Sequence, residues 1–386
     1  MLLIIIYLSF ISIGFPNSLL GAAWPSMFEG LAVPDAYLGI VSLVVMAFTV
    51  VTCTYSGKLF KRFDAGVLTA VSISFIAISL IGFGVSAAFP LLCVWAVPLG
   101  LGIGVIDAGL NNYVAAFFKA KHMNWLHCFW GLGAALAPIV LSLGITRYDS
   151  WRSAYFIIGG ALLGLALVLF STLRLWKRAE EPEQAEEPGK TKFGELFRLR
   201  GAMLSLAAFF CYCSMEAAVG LWGSSYLVIA KNIASETAAQ WLSVYFLGIT
   251  AGRLLSGFLT MKLNSRQMVR LGYMLFAGGV AMLFLPLGNV SFWGGFALMG
   301  LGCAPIFPNL IQSTPEYFGR AHSQSVIGLQ VASAYIGSTV MPPLFGVVAT
   351  RVGYDLLPVF LGVLLIGMTV MIEVFYKRGG THQAGI

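Results

Sequence analysis

Twelve times along this chain, about 20 residues pass with hardly a charge, at approximately 2–28, 36–56, 67–87, 90–118, 125–145, 152–174, 201–229, 237–260, 266–287, 291–318, 323–345 and 354–376. That pattern constrains the fold more than any other feature. A helix needs about 20 apolar residues to cross the hydrocarbon core, and it satisfies its own backbone groups while doing so. Composition agrees: 59% of the 386 residues are hydrophobic and 10% are charged, against about 25% charge in soluble domains. The expected fold is an all-α membrane protein with twelve transmembrane helices. The first run starts at Met1 with no basic segment before it, so it is expected to remain as the first span rather than be removed as a signal peptide.

The connections carry the charge. "KRFDAG" separates spans 2 and 3, and "KAKHMN" separates spans 4 and 5. The middle reads "RLWKRAEEPEQAEEPGKTKFGELFRLR", acidic and proline-containing, with too little apolar surface to fold alone. We therefore expect a six-helix bundle over 1–174, a linker over 175–200 and a second six-helix bundle over 201–386. Basic residues set the orientation. Lys58, Lys61, Arg62, Lys119, Lys121, the linker, Lys262, Arg266, Arg270, Arg320, Lys377 and Arg378 fall on the side of the termini; Arg147, Arg152, Lys231 and Arg351 fall opposite. The bias places both termini in the cytoplasm. It also explains the net charge of +7 without a nucleic-acid partner. The six cysteines all lie in apolar runs and read as buried thiols, with no metal site and no cofactor.

The two halves resemble each other. At a shift of 200 residues, Ser56-Gly57-x-Leu59 meets Ser256-Gly257-x-Leu259, Gly100-Leu101-Gly102 meets Gly300-Leu301-Gly302, and Phe118 meets Phe318. At a shift of 199, Asn17 meets Glu216 and Gly21 meets Gly220, each followed by a tryptophan, Trp24 and Trp222. One such pair means little in apolar sequence; several in span order indicate an internal repeat.

Two parallel six-span halves with a polar linker resemble the major facilitator superfamily. The segment "GKLFKRFDAG" at 57–66 is similar to its Gly-x-x-x-Asp-Arg-x-Gly signature, with Lys61 at the acidic position, followed by Arg62, and Asp64 at a glycine position. "GRLLSG" at 252–257 is also typical of that superfamily. Span 4, "GLGIGVIDAGLNNYVAAFF", and span 5, "WLHCFWGLGA", resemble the fucose–proton symporter family, with one departure: Asn17 stands where relatives carry Asp. The resemblance implies a monomeric carrier in a bacterial inner membrane that moves a small polar solute, a sugar, together with protons. Three explanations of Asn17 stay open: loss of one proton site, a uniporter, or an engineered substitution.

The residues themselves point the same way. Asp107 and Glu216 lie deep inside spans 4 and 7, where a charge costs at least about 2.5 kcal/mol; a carboxyl there can carry a proton in its neutral form. The structural alternative is a neutral acid hydrogen-bonded between helices. Asn17, Asn111, Asn112, Asn309, Gln312 and Gln330 can donate and accept at once, as sugar hydroxyls require, although such amides also join helices. Trp24, Trp130, Trp222 and Tyr226 can stack on a sugar ring. Asn17 and Trp24, seven residues apart, fall on one helical face, which is expected to look into the cavity. His127 is a candidate proton relay or solute contact. Arg253, Glu316, Lys61 and Arg62 read as gating charges.

These features favour a proton-coupled secondary transporter working by alternating access. The alternative is an exporter of apolar compounds or lipids, weakened because "GLGAALAPIVLSLG" lacks the antiporter pattern in span 5. No nucleotide-binding loop is present, so an enzyme is not expected.

Overall fold

In a computed structural model the chain forms twelve long helices and no strand among the described residues, which are 2–118, 120–176, 199 and 201–383. Side chains are described throughout these stretches except at 61, 112, 115, 116, 120, 121, 123, 124, 320, 321, 324 and 378–383. Most of the expected linker lies outside the described residues.

The helices are α1 (Leu2–Gly30), α2 (Tyr37–Arg62), α3 (Ala65–Val85), α4 (Phe89–Phe117), α5 (Ala120–Tyr148), α6 (Arg152–Ser171), α7 (Ala202–Ser225), α8 (Ser235–Leu259), α9 (Ser265–Met282), α10 (Asn289–Phe318), α11 (Arg320–Val352) and α12 (Leu357–Gln383). Each apolar run has become one helix, and eleven are long and apolar enough to cross a membrane. The exception is α9, with 18 residues and two arginines, Arg266 and Arg270. Several helices overrun their apolar segments: α5 begins at Ala120 and α12 continues to Gln383. A helix that leaves the hydrocarbon keeps its own backbone bonds, so polar sequence prolongs it at little cost. By contrast, α9 stops at Met282, and Gly288 with φ 61° leads into α10. Asn264 and Gln267 cap its start reciprocally.

Apolar side chains cover the outside as well as filling the interior, and small polar ones are buried among them. Leu167, Phe258, Ile366 and Val363 stand exposed, while Ser9, Ser12, Ser79 and Ser243 are buried. The exposed apolar surface is what a bilayer covers, and the buried hydroxyls donate to helix carbonyls, as Ser9 does to Ile5 O at 2.8 Å.

The described residues fall into two compact units. One takes Met1–Pro182, Gly220–Leu247 and Gly346–Tyr354; the other takes Glu183–Val219, Gly248–Phe345 and Asp355–Ile386. The first unit thus contains the first half of the sequence together with the C-terminal end of α7, the N-terminal part of α8 and the C-terminal end of α11. Within it α1 packs on α5, α2 on α4, and α3 on both α4 and α6. Within the second, α9 packs on α10 and α12. Glycines set these distances: a methyl at Gly102 would meet Ser72 O at 2.6 Å, so α4 can lie this close to α3 only without a side chain there.

Candidate functional site

In the first unit, α4 carries the acid. Asn111 Nδ2 donates to Asp107 Oδ1 at 3.1 Å and to the Asp107 carbonyl at 2.7 Å. One helical turn separates the two residues, so the pairing follows from their spacing alone. The other end of the amide, Asn111 Oδ1, is buried and meets no donor among the described residues. The pair therefore presents a carboxyl whose oxygen accepts from an amide and, beside it, an acceptor in need of a donor. A sugar hydroxyl or a protonated acid has that donor. Glycines flank the pair: Gly104 lies against Thr52 and Thr49 of α2, and Gly109 against the Phe60 ring.

Asn17 is exposed and its Nδ2 donates to Ile13 O at 2.9 Å. Pro16, immediately before it, has no N–H for Ser12 O. Trp24 does not share that exposure. It is fully buried, and its Nε1 donates to Asp35 O at 2.6 Å, bracing the connection between α1 and α2. The common helical face holds as geometry, but the unit closes over the α1 turn that carries Trp24. Trp222, also fully buried, packs against Gly346 and lies 5.7 Å from the Tyr354 ring. Tyr226 is buried beneath the Lys231 ammonium, 5.4 Å from its ring centre. None of these three rings is open to a solute in this conformation. Trp130 is half-buried. His127 is half-buried, edge-on to Phe10 at 5.5 Å. Arg62 is exposed, its guanidinium 5.8 Å from the Phe63 ring, and the side chains of Lys61 and Asn112 lie outside the described residues.

The same unit contains a close seam that sequence reading did not single out. A methyl at Gly14 would collide with Trp130 O and one at Gly21 with Gly220 O; from the other side, one at Gly133 would collide with Ile11 O. Ser224 Oγ donates to Ala22 O at 3.1 Å, Ser243 Oγ to Ala135 O at 2.9 Å, and Gln240 Nε2 to Ser142 Oγ at 2.9 Å. The Gly14 and Gly133 contacts join α1 to α5, those of Gly21 and Ser224 join α1 to α7, and those of Ser243 and Gln240 join α5 to α8. The repeat match of Gly21 with Gly220 was the available sequence signal; it indicated symmetry, and the structure adds that the two glycines touch.

In the second unit Glu216 is half-buried on α7, one turn after Tyr212, whose hydroxyl donates to Cys303 O at 2.9 Å. Gln330 is buried between two partners: its Oε1 accepts from Thr314 Oγ1 at 3.0 Å, and its Nε2 donates to Ser205 Oγ at 2.6 Å. Asn309 repeats the geometry of Asn111. Its Nδ2 donates one turn back, to Pro305 O at 2.7 Å, and its buried Oδ1 meets no donor among the described residues. Gln312 and Glu316 are exposed, and Arg253 is half-buried. Neither of two small cavities, about 180 Å³ beside Asp64 and Trp176 and about 140 Å³ between Gly252 and Pro305, includes Asp107 or Glu216. Among the described residues no group of three or more His, Cys, Asp or Glu side chains is placed to hold a metal.

Comparison with known proteins agrees with this architecture. Residues 6–233 and 204–384 match the family described as the Major Facilitator Superfamily. The Bypass of stop codon protein 6 of Saccharomyces cerevisiae is 23% identical over 97% of this chain and 82% of its own length. The glucose/mannose transporter GlcP of Bacillus subtilis is 24% identical over 72% of this chain and 70% of its own. The solved structure of the nucleoside transporter NupG superposes with a TM-score of 0.78, covering 97% of this chain and 98% of that one at 15% identity.

Proposed function

The chain belongs to the Major Facilitator Superfamily, and from that premise we propose that it carries a small polar solute, a sugar, across the membrane together with protons. The observation that carries the reading is the Asp107–Asn111 pair. An amide N–H stabilises the ionised carboxylate, and the remaining amide oxygen seeks a hydroxyl. Neutralising Asp107 lets the loaded carrier reorient at a lower desolvation cost. By linkage, proton release then favours solute release. Glu216 takes the corresponding part on α7, while Asn17 contributes hydrogen bonds without charge. The glucose/mannose transporter among the relatives supports a sugar as the solute.

The layout follows from the same reading. Two six-helix halves rock about a midplane site, with the linker and both termini in the cytoplasm of a bacterial cell and one chain sufficient for transport. Arg253, Glu316, Lys61 and Arg62 serve the cytoplasmic gate, and Gln312 with Asn309 extends the solute site.

The test is uptake of labelled sugars into proteoliposomes with and without an inward pH gradient. Asp107→Asn and Glu216→Gln should each abolish accumulation against a gradient, because a fixed neutral group cannot cycle, while solute exchange persists. If both variants still concentrate the sugar, these acids are structural and the coupling mechanism is wrong.

A further inference from the structure

A second charged cluster lies where α9 meets α12, and the transport reading makes no use of it. Glu373 accepts from Arg270 twice, from Nε at 2.8 Å and from Nη2 at 2.5 Å, and Tyr273 donates to the same carboxylate at 2.9 Å. Glu373 is thereby supplied. Arg266 stands further off, 3.8 Å from Glu373, with its guanidinium 5.1 Å from the centre of the Tyr376 ring. Two guanidiniums thus share one carboxylate.

Two donors in this corner are left over. Arg266 Nε is buried and meets no acceptor among the described residues; the hydroxyl of Tyr376, a residue 1% exposed, is in the same condition. Orphaned buried donors are costly. Here the missing partner must accept hydrogen bonds and bring negative charge as well.

We propose that this corner binds the phosphate of an anionic phospholipid headgroup. A phosphate offers several acceptor oxygens and suits a guanidinium better than a point cation. The level in the membrane is right. Arg266 lies in the first turn of α9 and Tyr376 near the end of the apolar run Tyr354–Lys377. Lys262 and Lys377, both exposed, flank the two residues in sequence. Basic groups at the cytoplasmic ends of spans attract anionic lipid. Deeper in the same helices, Met274, Ile366 and Val370 are exposed and provide an apolar surface for acyl chains. A free phosphate ion has no use for that surface, so the lipid is the favoured source of the headgroup.

The experiment is thermal unfolding of the purified full chain in detergent with added dioleoylphosphatidylglycerol, dioleoylphosphatidylcholine or inorganic phosphate. Phosphatidylglycerol should raise Tm by about 2 °C over phosphatidylcholine. That rise should be at least halved in Arg266→Gln and in Tyr376→Phe and kept in Arg351→Gln, a control in the last turn of α11. An equal rise with inorganic phosphate would mean that the corner takes the free ion and would overturn the lipid assignment. The absence of any rise, or a full rise in both variants, would overturn the site itself. Native mass spectrometry of Tyr376→Phe supplies a readout independent of stability. The variant should carry less phosphatidylglycerol relative to phosphatidylcholine than the parent, and an unchanged ratio counts against the proposal.

Discussion

The seam on α1 and the buried amide of α11 are both contacts between helices, yet they are built from opposite materials. Along α1, Gly14 and Gly133 bring its backbone against α5, Gly21 brings it against α7, and Ser224 of α7 adds a hydrogen bond, while Ser243 and Gln240 of α8 bond to α5. Around Gln330, a side-chain amide is held at both ends, by Thr314 of α10 and Ser205 of α7. In a bilayer, helices gain no hydrophobic energy by meeting, so close packing and hydrogen bonds decide which contacts last. When a glycine seam parts, lipid or water replaces the lost contacts, and a freed serine hydroxyl can turn to a carbonyl of its own helix. When the Gln330 triad parts, a buried amide loses two partners together and nothing nearby replaces them. Under the alternating access proposed above, the contact of α1 with α7 is the one suited to opening, and the triad the one suited to staying shut.

The strongest way to break this comparison is to fill the seam. Gly21→Val places atoms where Gly220 O and Leu221 O already lie, the latter 2.7 Å from the first added carbon. Overpacking of this kind costs about 1–3 kcal/mol. Under the proposed alternating access the added bulk opposes the arrangement in which α1 and α7 meet, so solute uptake should fall at least fivefold while folded protein is still recovered. Uptake at the parental rate would show that the seam never needs to close.

A smaller effect tests the other side. Gln330→Leu leaves the Ser205 and Thr314 hydroxyls without their amide, and each can turn back to its own helix. The expected loss is about 1–2 kcal/mol in stability, read by thermal unfolding, with the uptake rate per folded molecule unchanged. A large change in rate with no change in stability would make Gln330 a moving part and dissolve the distinction.

The smallest effect is a control for the glycine argument. A methyl at Gly164 in α6 would meet nothing within 4 Å. Gly164→Ala should therefore be neutral or stabilise by up to about 1 kcal/mol, whereas Gly14→Ala should destabilise, since Ala134 N lies 2.8 Å from the added carbon. Two identical substitutions with opposite signs would sharpen the case that position, and not glycine content, makes the seam.

The number of helices and their order were legible in the sequence, because an apolar run of span length has one way to satisfy its backbone in lipid; many of their ends were not, since polar sequence prolongs a helix beyond its apolar run, as at Ala120 and Gln383. The sequence also offered Asp107 and Asn111 as separate candidates, and their four-residue spacing on one helix makes them neighbours. The superfamily followed from the repeat and from the motifs that begin at Gly57 and Gly252. Other matters were beyond it. Trp24, on the same helical face as the exposed Asn17, is fully buried, its Nε1 held by Asp35 O in the connection to α2. Arg270 read as a charge of the loop side and proved to be the bidentate partner of Glu373, 103 residues away. Gly21 read as half of a repeat and proved to rest on its counterpart Gly220. Each of these depends on which helix lies beside which. Helix packing in a membrane is fixed by shape and by a few polar contacts between residues far apart in the chain; periodicity records which face of a helix is apolar, and only the tertiary structure decides what that face meets.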